Sequence, residues 1–71
     1  MIIRKGLRFE SRNFAANIEV QEVKKETNEI VLLMMPSDRH DFIVTWPLDE
    51  VVNGFVTKIY KEIGTETNFG I

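Results

Sequence analysis

The stretch FIVTWPLDEVV, residues 42–52, contains the only tryptophan of the chain and its sharpest change of periodicity. Up to Trp46 the apolar residues alternate; beyond Pro47 they recur in threes and fours. Alternation predicts a half-buried strand with Phe42, Val44 and Trp46 on one face and Ile43 and Thr45 on the other. Pro47 suits the first helical position, where its fixed φ is already correct and its missing N–H has no partner to lose. Asp49 and Glu50 follow in the first turn, where the helix dipole favours negative charge. Leu48, Val51, Val52, Phe55, Ile59 and Ile63 then fall on one helical face. Lys58 and Lys61 sit toward the far end, and Gly64 is a natural stop.

Asn53-Gly54 argues against so long a helix, because Asn-Gly is a strong turn signal and a mid-helix Gly costs about 1 kcal/mol relative to Ala. The competing reading is a short helical turn over 48–53 followed by a strand over 55–63. The longer stripe and better-marked ends favour the helix. On that reading Trp46 is core, at the corner where sheet meets helix. Trp46→Ala is then expected to cost about 3–5 kcal/mol.

Upstream, the pattern is that of strands. In GLRFES, Leu7 and Phe9 alternate with Arg8 and Glu10. SRNFAAN (11–17) reads as a loop anchored by Phe14. IEVQEV (18–23) alternates for Ile18 and Val20, then slips by one residue to reach Val23, so either the strand fades or a bulge shifts its face. KKETNE (24–29) is a hairpin turn with Thr27-Asn28 at its tip. IVLLMM (30–35) is apolar on both faces, which fits a strand buried on both sides or one with a face left for a partner. Pro36 closes it, and Ser37 and Asp38 supply turn hydrogen bonds.

With 71 residues and no cysteine, the chain makes one domain with a thin core and no disulfide or thiolate site to reinforce it. Its 44% hydrophobic and 28% charged residues are those of an ordinary globular domain. The run from Ile30 to Pro36 falls far short of the roughly 20 residues a membrane helix needs. The opening MIIRKG does not read as a secretory signal, so a cytoplasmic protein with no membrane partner is expected. Net charge is −2, against general nucleic-acid affinity, yet Arg4, Lys5, Arg8 and Arg12 face a single acid, Glu10, in the first dozen positions.

Motifs for catalysis are weak. Asp38 and Asp41 flank the only histidine, His40, but no second His or Cys completes a metal shell, and the segment reads as a solvated turn. Ser11 and Ser37 lack a nucleophile elbow, and the four glycines are scattered. No enzyme, metal, cofactor or small-molecule substrate is therefore expected.

The strands-then-helix order predicts an α+β domain over 1–64 with a flexible tail over 65–71. Its sheet is expected to be small, curled and antiparallel, of three to four strands, followed by one C-terminal helix; an SH3-like barrel is one closed form of such a sheet. The functional expectation is a non-enzymatic interaction module that self-associates into a homo-oligomer, or docks to another protein. Met34, Met35, Val56 and Tyr60 are its candidate contacts. The alternative is a small nucleic-acid-binding accessory protein that uses Arg4, Lys5, Arg8 and Arg12, with Phe9 and Phe14 interleaved.

Overall fold

The computed structural model of the chain describes residues 3–13 and 15–65. The chain forms β1 (Leu7–Ser11), β2 (Ala16–Lys24), a 3₁₀ turn (Lys25–Thr27), β3 (Glu29–Pro36), β4 (Phe42–Pro47), α1 (Leu48–Val56) and β5 (Tyr60–Thr65). All five strands join one antiparallel sheet in the order β4-β3-β2-β1-β5. The first four make a meander. Helix α1 then carries the chain from the β4 edge to the opposite edge, where β5 pairs with β1. The sheet is not closed: β4 and β5 end the strand order, and α1 stands between them. The expected α+β class is the one observed, with a fifth strand after the helix.

Alternation along the strands builds the core. Leu7, Phe9, Ile18, Val20, Ile30, Leu32 and Met34 all point to the side that α1 covers with Val51, and all are buried. The slip expected in β2 is a register shift between Val20 and Glu22, which brings Val23 against the core. Phe9, Phe55 and Tyr60 form an aromatic trio with ring centroids 4.9, 5.0 and 5.7 Å apart, tying β1, α1 and β5 together. Each such pair adds about 0.5–1.5 kcal/mol beyond its buried area.

The helix starts one residue later than its proline suggests. Pro47 is extended (φ −63°, ψ 133°) and precedes the first helical residue, offering no side-chain cap. The cap comes instead from the β2–β3 turn. Asn28 is left-handed (φ 57°), and its carbonyl accepts from Leu48 N at 2.9 Å while its Oδ1 accepts from Asp49 N at 3.2 Å. Two otherwise orphaned N–H groups are thus satisfied by one residue far away in sequence.

The helix ends at Val56, and the stretch to Ile63 is not helical. Lys58 N donates to Phe55 O (3.1 Å) and Ile59 N to Gly54 O (2.9 Å), while Thr57 N and Oγ1 both donate to Asn53 O at 2.9 Å. This is a Schellman stop with Lys58, at φ 65°, in the left-handed position. Ile59 and Ile63 therefore leave the helical stripe, Lys61 lies on β5, and Gly64 lies within β5 rather than stopping a helix. Each sequence reading holds in part: the helix outlasts 53, and a strand follows it from residue 60.

Trp46 is only half-buried, packed at the margin of the core rather than inside it. Thr65 closes β5; the rest of the expected tail, and the Phe14 anchor, lie outside the described residues. Among the described residues no helix is long and apolar enough to cross a membrane.

Candidate functional site

The outer face of the sheet, away from α1, divides into two halves. On β1 and β2 it carries Arg8, Glu10, Asn17 and Glu19, with the Arg8 guanidinium 3.6 Å from the Glu19 carboxylate. On β3 and β4 it carries Val31, Leu33 and Met35, with Ile43 and Thr45 beside them in register. One helix can cover only one face of a sheet, so this apolar row has no covering element among the described residues. Ile43 is 57% exposed and Phe42 41%.

Strand β4 also forms one edge of the sheet. Its six residues, FIVTWP, include no charge, the usual guard against edge-to-edge pairing. On the inner side the same strand lines a pocket of about 370 Å³ with Met34, Phe42, Val44 and Trp46 as its apolar wall. Asp38 and Arg39, 3.6 Å apart, stand at its mouth. β4 thus carries an exposed apolar side chain on each face, Phe42 and Ile43, beside an edge that no described strand pairs.

The four apolar contact candidates do not form one surface. Met34 is 5% exposed and belongs to the core and the inner pocket wall, and Met35 projects from the opposite face of the same strand. Val56, 71% exposed, is the last helical residue. Tyr60 is engaged by Phe9 and Phe55. Its phenol is held above the ordinary tyrosine pKa, first by burial and then by the nearby Glu50 carboxylate. Phe42 and Ile43, the exposed large apolar residues of β4, are not among the candidates drawn from the sequence, although a charge-free strand of alternating bulky residues is there to be read.

The basic candidates separate too. Arg4 and Lys5 line a concavity with Ile3, Val23, Lys25 and Glu26 at one end of β1, whereas Arg12 lies at the other end. Arg8 is on the outer face with Glu19. Arg12 instead joins Lys58 and Lys61 around a concavity of about 550 Å³. No local pattern announces that trio, because it depends on β1 pairing with a strand from the far end of the chain.

Asp38, His40 and Asp41 are all exposed, in the turn before β4. Among the described residues no three His, Cys, Asp or Glu side chains are grouped so as to hold a metal ion. Comparison of the chain with protein-family models, with curated proteins and with solved structures finds no match.

Proposed function

We propose that the protein is a small, non-enzymatic, cytoplasmic interaction module whose working surface is the β3–β4 sector. The observation that supports this reading is the character of β4: a terminal, charge-free strand with exposed Phe42 and Ile43, next to the outward row Val31, Leu33 and Met35. An unpaired edge offers a row of backbone donors and acceptors, and the apolar flank adds burial at about 25 cal/mol per Å². The partner we favour is a second copy. Antiparallel pairing of β4 with its twin about a two-fold axis satisfies both edges at once and joins the two apolar rows. Another protein presenting an extended segment is the other partner of the same surface.

The strand order also supports an SH3-like description of the sheet, opened where α1 separates β4 from β5. Sedimentation velocity over a wide concentration range tests self-association. A mass that rises with concentration and persists at high salt is expected, since apolar association survives screening. A monomer at every concentration removes the second-copy reading.

A further inference from the structure

Lys58 occupies the left-handed position of the helix stop, with φ 65°. That position favours glycine, because a Cβ there crowds the following carbonyl. The chain places a long cation there instead, and residues that contradict local preference mark places where something other than folding is served. Arg12 is brought to the same spot by its backbone, its N–H donating to Ile59 O at 2.9 Å and pinning the segment after β1 to the turn after α1. Lys61 follows on β5, opposite Glu10 in the ladder.

The three cations line one concavity with a single carboxylate, Glu10, in a chain whose net charge is −2. Among the described residues none of the three has an ion-pair partner within 4.0 Å. We propose that Arg12, Lys58 and Lys61 bind a phosphate group. Three positive charges on the lining of one concavity suit a multiply charged oxyanion better than a single carboxylate, and Arg and Lys are its usual ligands. Tyr60 also lines the concavity, but its ring is committed to Phe9 and Phe55 and leaves no free platform for stacking a base. Recognition is of the phosphate itself, carried either by a free phosphorylated compound or by a nucleic-acid backbone.

The test is a titration of the ¹⁵N-labelled protein at low ionic strength, followed by amide chemical shifts, with inorganic pyrophosphate in one arm and single-stranded oligothymidylate in the other. Saturable shifts confined to residues 11–13 and 57–62 are expected. Arg12→Ala, Lys61→Ala and Lys58→Gly should each weaken binding about five-fold, the equivalent of one screened charge contact. Lys58→Gly should at the same time raise the melting midpoint, so its loss of binding cannot be a loss of fold. A double Arg4→Ala, Lys5→Ala variant should bind as the parent does. Tighter binding of the oligonucleotide identifies a backbone phosphate as the source; equal or weaker binding identifies a free phosphorylated compound. The proposal is overturned by an absence of shifts at these residues in both arms, by unchanged binding in Lys58→Gly, or by an equal loss in the Arg4/Lys5 variant. The β3–β4 sector takes no part in this site, so the oligomeric state does not bear on the outcome.

Discussion

The ring of Tyr60 lies directly against Gly54, so that a Cβ at position 54 would overlap the Cδ2 and Cε2 atoms of the ring. The glycine that weakens the helix locally is thus what allows β5 to return against it. Gly54→Ala should gain about 1 kcal/mol of helix propensity and lose more through overpacking, which typically costs about 1–3 kcal/mol. The ring cannot easily give way, being wedged between Phe9 and Phe55. Urea denaturation should show net destabilisation, and a more stable Gly54→Ala protein would contradict this packing.

Tyr60 also sets an alkaline limit. Its phenol is raised by burial and by Glu50, so the folded state holds its proton more tightly than the unfolded chain. That stabilisation is complete below the ordinary tyrosine pKa of about 10 and is lost as pH rises through the higher folded value. Stability should therefore fall above about pH 10. Because this is the only tyrosine, its tyrosinate absorbance reports the titration directly. Tyr60→Phe should remove this component of the pH dependence.

Asn28 joins the β2–β3 turn to the start of α1 through two acceptors. Asn28→Ala removes Oδ1 and places an alanine in a left-handed conformation, and should cost about 1–2 kcal/mol. Asn28→Gly also loses Oδ1, but it relieves the backbone, so it should cost less. Thermal melts of the two variants give the order; an alanine variant as stable as the glycine one would show that the left-handed backbone does not bear on the choice of residue here.

Trp46 should matter less to stability than a fully buried tryptophan. Partly buried at the margin of the core, it should lose less on truncation to alanine than the about 3–5 kcal/mol of a fully buried tryptophan. The variant should stay folded by circular dichroism with an enlarged inner pocket. Unfolding would return Trp46 to the core.

Ile43→Lys places a charge on the exposed β4 edge. With 57% of the side chain already in solvent, the fold should change by no more than about 0.5 kcal/mol. Concentration-dependent sedimentation should disappear. If Ile43→Lys associates as the parent does, the β4 surface is not the interface.

Periodicity made much of this legible. Leu7 and Phe9, Ile18 and Val20, and Phe42, Val44 and Trp46 all face the side their alternation predicts, because a strand has only two faces and water chooses between them. IVLLMM, apolar on both faces, left open a strand buried on both sides or one with a free face; in the structure its outer row has no covering element among the described residues. What local pattern could not reveal was long-range. A helical stripe continues on paper through Ile59 and Ile63, but the chain leaves the helix at Val56 through the turn at Lys58, and Gly54 gives the Tyr60 ring room to pack back against the helix. Arg12 and Lys61 became neighbours for the same reason, through a ladder between distant strands. Met34 and Met35 looked like one contact surface in sequence, yet adjacent residues of a strand point apart.

The pairing of β1 with β5 has a kinetic meaning. Its ladder links the first described strand to the last, and nothing local rewards closing so large a loop. The meander β1–β4 can form by successive hairpins, but its first strand keeps an open edge until α1 has crossed and β5 arrives. Phe9 finds neither Phe55 nor Tyr60 before then. The aromatic trio and the grouping of Arg12, Lys58 and Lys61 thus rest on the same long-range pairing: the cationic cluster is present only where β1 and β5 are joined.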